Sequence, residues 1–137
     1  MENNSNYLHS DLSDKIISCF YKVYNNLGFG FLEKVYQKSL EIELKKNGLN
    51  IEVQHPIKVY YDKTIVGEYF ADILVDSKII IEIKAVDTLV KENEQQLINY
   101  LKSTDIELGL LLNFGRNPEM KRRIFTNDKK KLNNNNF

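Results

Sequence analysis

The fold of this 137-residue chain depends on the stretch GEYFADILVDSKIIIEIKA, residues 67–85. Two apolar runs flank the turn Asp76-Ser77-Lys78, and their β-branched and aromatic content predicts antiparallel strands over 66–75 and 79–86. The second run has the hydrophobicity of a central strand that is covered on both faces. Charged residues nevertheless interrupt both runs, and these interruptions are the strongest functional signal in the sequence.

Asp72, Glu82 and Lys84 are the interrupting residues. Side chains two positions apart in a strand share a face, so Glu82 and Lys84 project together. If the hairpin loop has three residues, Asp72 lies directly opposite Glu82, with the Cβ atoms about 5 Å apart. A two-residue loop would instead pair Asp72 with Ile81 and turn Glu82 to the other face.

Two neighbouring carboxylates in an apolar setting repel each other, and one is pushed to protonate unless a cation intervenes. Oxygen ligands suit a hard cation such as Mg²⁺ or Mn²⁺. Such an ion polarises a phosphate oxygen and lowers the pKa of a bound water. Lys84 could orient that water or neutralise charge in the transition state. The alternative is a structural ion pair of Lys84 with Asp72 or Glu82, which leaves one negative charge uncompensated.

Hydrophobic periodicity predicts the elements around this hairpin. Apolar residues recur at helical spacing over residues 13–26, with Ser13 as N-cap, and over 31–47 and 91–103. Short alternating or apolar runs predict strands over 51–55, 57–61 and 107–113, with Pro56 as an interruption. Pro118 suits the first turn of a short helix over 118–123. The order predicts an α/β domain in which an antiparallel meander is followed by a crossover to a further strand.

Composition limits the class of protein. Apolar residues make up 42% and charged residues 28%, as in an ordinary soluble domain. No apolar run approaches the 18 residues or so of a transmembrane helix, and the polar start is unlike a secretory signal, so we expect a cytoplasmic protein without membrane contact. The single Cys19 excludes an intrachain disulfide. We expect residues 1–10 to be disordered, residues 11–126 to form the domain, and residues 127–137 to be a basic, Asn-rich flexible tail.

The formal net charge of zero hides an asymmetry. Between residues 116 and 131, seven basic side chains face two acidic ones, which gives a net charge of +5. A basic segment of this kind can bind a polyanion or can simply be solvated, and charge alone leaves both interpretations open.

The pattern Asp72, then Glu82-Ile83-Lys84 after a hairpin, resembles the PD-(D/E)xK nuclease superfamily. The stretch GFLEKVY, residues 30–36, has the pattern Gly-x-x-Glu-x-x-Tyr and resembles the GxxExxY family within it. The stretch QLINYLKSTDIELGLLLNFG, residues 96–115, is also similar to that family. The resemblance covers about residues 12–125.

This resemblance implies a restriction-endonuclease-like core, with a mixed central β-sheet flanked by α-helices. It implies a Mg²⁺ or Mn²⁺ ion at Asp72 and Glu82, with the backbone carbonyl of Ile83 as a further ligand and Lys84 as a catalytic residue. Glu33 would lie at the metal directly or through water. By similarity to nucleases of the RecB type, Gln96 and Tyr100 would complete the site and face the metal or DNA.

The implied activity is metal-dependent hydrolysis of nucleic acid phosphodiester bonds, with DNA the favoured substrate. We expect four basic residues to contact backbone phosphates: Arg116, Lys121, Arg122 and Arg123. The alternative is a non-catalytic nucleic-acid- or protein-binding module that retains the nuclease fold. A homodimer is a further expectation, because small nucleases often need two sites to cut both strands.

Overall fold

The computed structural model describes residues 8–130 of the chain. Two helices come first, three strands follow, and a third helix leads to two further strands and a 3-10 turn at Asn127–Lys129. The helices are α1 (Ser10–Leu27), α2 (Glu33–Lys46) and α3 (Lys91–Lys102). The strands are β1 (Ile51–Tyr61), β2 (Thr64–Val75), β3 (Ile79–Lys84), β4 (Leu108–Phe114) and β5 (Pro118–Ile124).

The strands form one sheet in the order β1-β2-β3-β4-β5. The pairs β1–β2, β2–β3 and β4–β5 are antiparallel, whereas β3 and β4 are parallel and are joined through α3. A parallel pair needs such a crossover because the end of the first strand and the start of the second lie at opposite ends of the sheet, too far apart for a tight turn. The predicted α/β class, with an antiparallel meander, a crossover and a mixed sheet flanked by helices, is confirmed.

Hydrophobic side chains cover both faces of the sheet. On one face α1 and α2 pack on alternate residues of β3, including Ile79, Ile81 and Ile83. On the other face α3 packs on Ile80 and on Leu111 of β4. Side-chain alternation in β3 therefore turns Glu82 and Lys84 toward the α3 side, together with Ile80, as predicted.

Two predictions about strands are wrong. Pro56 does not interrupt β1. Because β1 is an edge strand, the N–H that Pro56 lacks costs no ladder bond on the solvent side. The segment 118–123 is not a helix but most of β5, which pairs antiparallel with the whole of β4. Pairing with an otherwise open strand edge outweighs the local helix signal of Pro118.

The chain ends also differ from the prediction. Helix α1 begins at Ser10, so Ser13 lies inside the helix and its hydroxyl donates to the Ser10 carbonyl at 3.1 Å. Most of the predicted disordered segment, residues 1–7, lies outside the described residues, as does 131–137 of the predicted tail. Lys130 Nζ donates to the carbonyls of Thr104 and Ile106, both at 2.8 Å, so the folded part extends beyond the boundary predicted at 126. No helix within residues 8–130 is long and apolar enough to cross a membrane.

Candidate active site

The two acidic residues of the β2–β3 hairpin lie side by side. The hairpin pairs Val75 with Ile79, which leaves the three-residue loop required to set Asp72 against Glu82. Beyond the last ladder pair, the backbone N–H of Asp72 donates to Glu82 Oε2 at 2.8 Å, and the N–H of Ile83 donates to Asp72 Oδ2 at 2.8 Å. Each carboxylate therefore takes the place of a backbone acceptor on the facing strand.

The side-chain alternation of β2 is interrupted at Asp72. Ala71 and Ile73 would share a face in a regular strand, but Ala71 packs on the α3 side and Ile73 on the α1–α2 side. On the neighbouring strand, Gln54 has a φ of 54° at the same level, which is an irregular conformation for a strand residue. The ladder between β2 and β3 ends at the Ile73–Ile81 pair, next to this distortion, and the two carboxylates follow directly after it.

Burial and mutual repulsion raise the affinity of this pair for protons. Glu82 is only 5% exposed, and burial together with the charge of Asp72 raises its pKa to about 8. Burial also raises the pKa of Asp72, although the Ile83 N–H and the Gln54 side chain stabilise its ionised form. Without a cation the pair therefore retains a proton near neutral pH, as expected for surplus negative charge in an apolar site.

Glu33 and Lys84 belong to the same electrostatic cluster. Glu33 is the first residue of α2, and partial burial raises its pKa, while the charge of Lys84 lowers it and that of Asp72 raises it. Lys84 likewise favours the ionised forms of Asp72 and Glu82. The four charged residues predicted to form the site thus lie within interaction range of one another.

Tyr36 holds the turn that positions Glu33. Its hydroxyl donates to the carbonyl of Gly28 at 2.6 Å and accepts from the N–H of Phe31 at 3.2 Å. Its ring is fully buried and stacks on Phe114 with centroids 4.5 Å apart. Tyr36 of the Gly-x-x-Glu-x-x-Tyr pattern is therefore a core residue, which fixes the start of α2 and with it the place of Glu33.

Gln96 and Tyr100 lie on α3, four residues apart, and both line a cavity of about 840 Å³. Burial raises the pKa of Tyr100 to about 12, with further contributions from the charges of Glu82 and Asp72. Both residues therefore belong to the cavity wall, and Tyr100 also lies within electrostatic range of the two carboxylates.

Three residues around Asp72 were not predicted from the sequence. Gln54 hydrogen-bonds the Asp72 carboxylate, Gln37 Nε2 donates to the Asp72 backbone carbonyl at 3.4 Å, and the charge of Lys34 lowers the pKa of Asp72. Gln37 lies one helical turn after Glu33, and that spacing was an available signal. No sequence signal indicated Gln54, because its position depends on the irregular backbone of β1.

The predicted phosphate-binding residues are divided between the two faces of the sheet. The Arg122 side chain donates to the carbonyl of Leu8 near α1, whereas Arg123 forms an ion pair with Glu94 of α3. Arg116 lies over the ring of Phe29, 5.0 Å from its centroid. Lys121 pairs with Leu111, which pairs with Glu82, so Lys121 faces the same side as the acidic pair, two strands away. The residues do not form one continuous basic patch.

The donor atoms fit a divalent ion that retains much of its own hydration. Within residues 8–130 no three His, Cys, Asp or Glu side chains are grouped closely enough to enclose a metal. Mg²⁺, however, is commonly bound through one or two carboxylates, with water and substrate phosphate as the other ligands. Asp72 and Glu82 provide such a pair. The pKa of each carboxyl is raised, and a bound cation would neutralise the negative charge that their ionised forms place in this site.

Comparison with known proteins identifies the family of this chain. A family model of the PD-(D/E)XK nuclease superfamily matches residues 10–124. No curated protein matches the chain. The crystal structure of SSO0001 is similar at 20% sequence identity and a TM-score of 0.47, and the alignment covers 90% of this chain and 62% of that one, so the chain spans less than two thirds of its length. Because the superfamily match extends over most of the 137 residues, the chain belongs to the PD-(D/E)XK nuclease superfamily.

Proposed function

We propose that this protein is a divalent-metal-dependent nuclease that hydrolyses phosphodiester bonds of nucleic acid, with DNA the favoured substrate. The observation that supports this best is the reciprocal bonding of Asp72 and Glu82 to the facing strand, with Lys84 two residues along β3. Nucleases of this superfamily typically use divalent metals. When both acids are ionised, the buried Glu82 and the part-buried Asp72 outweigh the one lysine by a negative charge that a purely structural ion pair would not need.

In this proposal Asp72, Glu82 and the carbonyl of Ile83 would hold Mg²⁺ or Mn²⁺, with Glu33 at the ion directly or through water. The ion supplies Lewis-acid polarisation of the scissile phosphate. The Lys84 ammonium orients the attacking water and neutralises the charge that develops on the phosphate oxygens. The water oxygen forms a bond to phosphorus and gives up a proton to solvent, while the bond to the leaving oxygen breaks and that oxygen takes a proton from solvent. Gln96 and Tyr100 position the substrate along the wall of the site.

We also assign the chain to the GxxExxY branch of the superfamily. Gly30 supports this assignment because its φ of 114° favours glycine, and Tyr36 supports it because it fixes the turn before Glu33. Backbone phosphates would contact Arg116, Lys121, Arg122 and Arg123. Because Arg122 and Arg123 already bond within the protein, we expect their contributions to be smaller. A homodimer remains a prediction that sedimentation velocity measures directly.

The proposal is tested by cleavage of plasmid and oligonucleotide DNA in Mg²⁺ or Mn²⁺, with a chelator as the blank. We expect Lys84→Ala to lower the rate about 100-fold or more, which is the usual contribution of one donor to transition-state charge. Asp72→Asn should abolish metal-dependent cleavage. Lys63→Ala and Asp62→Asn, in the exposed β1–β2 turn, are the matched controls and should cleave like the wild type. Equal rates for the wild type and Lys84→Ala would remove Lys84 from the mechanism.

Calorimetric titration distinguishes the enzyme from a binding module that only retains the fold. A nuclease should bind Mn²⁺, and Asp72→Asn should lose that binding while Asp62→Asn retains it. Absence of Mg²⁺ and Mn²⁺ binding by the wild type would contradict the metal site and favour the non-catalytic module.

A further inference from the structure

The cavity beside the carboxylates has aromatic walls. The cavity of about 840 Å³ lies between the β1–β2 hairpin, α3 and the segment after β5. Each of these three elements contributes one aromatic ring: Tyr69 from the hairpin, Tyr100 from α3 and Phe125 from the segment after β5. The rings of Tyr69 and Tyr100 lie 5.9 Å apart between centroids at an angle of 40°. Tyr69 is 47% exposed, so much of its ring remains available to a ligand.

The charged residues of this cavity are mostly basic. Lys102, Lys129 and Lys130 line it, against the single acidic residue Glu92. The Lys102 ammonium lies 5.6 Å from the centroid of the Phe125 ring, so a positive charge stands beside an aromatic surface. Lys129 is exposed, whereas the Lys130 ammonium is already bound to backbone carbonyls. Aromatic rings next to lysines are the combination with which proteins bind the bases and the backbone of unpaired nucleic acid.

Tyr100 brings the cavity close to the acidic pair. It lines the cavity, and the charges of Glu82 and Asp72 contribute to its raised pKa. Tyr100 therefore lies both at the cavity and within electrostatic range of the two carboxylates.

We propose that this cavity binds unpaired nucleotides, so that the protein takes single-stranded rather than double-stranded nucleic acid as its ligand. The inference rests on the proposed nuclease function and specifies its substrate class. Stacking on Tyr69 requires a base with a free face, and bases within a duplex have none until they are unstacked. The volume lies in the range of small-ligand sites of about 300–1,000 Å³, which accommodates one or two nucleotides and not a duplex.

Fluorescence anisotropy in EDTA measures binding without metal-dependent cleavage. The probes are a labelled 12-nucleotide oligodeoxythymidylate, its ribonucleotide equivalent and a labelled 12-base-pair DNA duplex. We expect the single strands to bind more tightly than the duplex, and Tyr69→Ala to weaken their binding about 5- to 100-fold, the range for loss of one stacked base. Tyr69→Phe should retain the affinity, because it keeps the ring. Tyr61→Ala, at the far end of the same hairpin, is the control and should bind like the wild type.

Binding of the duplex as tightly as the single strands would overturn the inference. An unchanged affinity of Tyr69→Ala, or failure of the wild type to bind either single strand, would overturn it as well. Thermal melts of each variant establish that the folded protein is being compared. Single-strand binding that depends on Tyr69, without cleavage in Mg²⁺ or Mn²⁺, would keep the binding site and remove the nuclease function. Cleavage at equal rates by the wild type and Tyr69→Ala would keep the nuclease function and remove the binding site.

Discussion

Glu82 carries the largest electrostatic cost in the described part of the site. It is buried at 5% exposure, beside Asp72, and it is held there by a hydrogen bond from the backbone of that neighbour. A carboxylate in such a place favours the protonated form until a cation compensates its charge. The same carboxylates that would bind a cation thus destabilise the folded protein when no metal is bound.

This cost makes the stability of the metal-free protein depend on pH. The pKa of Glu82 is about 8 in the folded state and near 4.5 in the unfolded chain, so the folded state binds the proton more tightly. The contribution to stability is complete below pH 4.5 and is lost as pH rises toward 8. Glu82→Gln removes the ionisation, and in EDTA at pH 8 we expect it to be more stable than the wild type by on the order of 2–4 kcal/mol.

Urea unfolding at pH 5 and pH 8 measures the effect. The advantage of Glu82→Gln should be larger at pH 8, and Glu68→Gln, exposed on β2, should behave like the wild type. An advantage that is equal at both pH values would contradict the assignment of the raised pKa to Glu82.

Tyr36 provides a second test at a single side chain. Tyr36→Phe keeps the ring that stacks on Phe114 but removes the hydroxyl that bonds Gly28 and Phe31. We expect a loss of about 1–3 kcal/mol in the free energy of unfolding, because the Gly28 carbonyl and the Phe31 N–H lose their partner in two part-buried hydrogen bonds. Tyr21→Phe, on the exposed side of α1, is the control. If both variants unfold at the same urea concentration, the hydroxyl of Tyr36 does not hold the turn.

The end of β3 is joined to its neighbours by side-chain bonds in place of a longer ladder. Asn113 is fully buried, accepts from the N–H of Val86 at 3.0 Å, and donates to the Val86 carbonyl at 2.9 Å and to Glu119 at 3.1 Å. A Cβ on Gly115 would lie 2.0 Å from the same Val86 carbonyl, so the backbones meet too closely for any side chain. This junction fixes the strand segment that carries Lys84.

We expect Asn113→Ala to lower the free energy of unfolding by about 2–4 kcal/mol, since two backbone groups of Val86 lose their partner. Hydrogen exchange at the Val86 amide should accelerate more than exchange at Ile80, in the middle of β3. Asn113→Asp keeps the acceptor but sets a carboxylate beside Glu119, and it should be at least as destabilised. Unchanged exchange at Val86 in Asn113→Ala would contradict the role of this junction.

The distribution of charge over the whole molecule determines how nucleic acid is held. The basic residues of β5 alternate between the two faces of the sheet, as strand geometry requires. Because β5 is an edge strand, its charges also discourage pairing with the strands of other chains. Arg123 is occupied by Glu94, whereas Lys121 faces the side of the acidic pair. Lys121 is therefore the residue of β5 best placed for a phosphate.

Salt dependence of nucleic-acid binding tests this assignment. Loss of one phosphate contact should reduce the slope of log K against log salt by about 0.7–0.9. We expect that reduction for Lys121→Ala and a smaller one for Arg123→Ala, whose side chain is already paired. Anisotropy titrations in EDTA over a range of salt concentrations supply the slopes, with Lys63→Ala as control. A slope for Lys121→Ala equal to that of the wild type would exclude its phosphate contact.

Much of the site follows from local patterns in the sequence. Strand periodicity places Glu82 and Lys84 on one face, and the three-residue loop sets Asp72 against Glu82, because both relations depend only on neighbouring positions. The helix predicted over residues 31–47 likewise contains Glu33 and Tyr36, although the buried role of Tyr36 emerged from its contacts with Gly28 and Phe114.

Other features depend on segments that are distant in the chain. Residues 118–123 became β5 because the edge of β4 was available for pairing, and Arg123 was drawn to Glu94 by the packing of α3 against the sheet. The contact of Gln54 with Asp72 and the cavity behind Tyr100 likewise arise between elements. Period and spacing in a sequence report local geometry, whereas the free energy of these contacts depends on which distant surfaces meet when the chain folds.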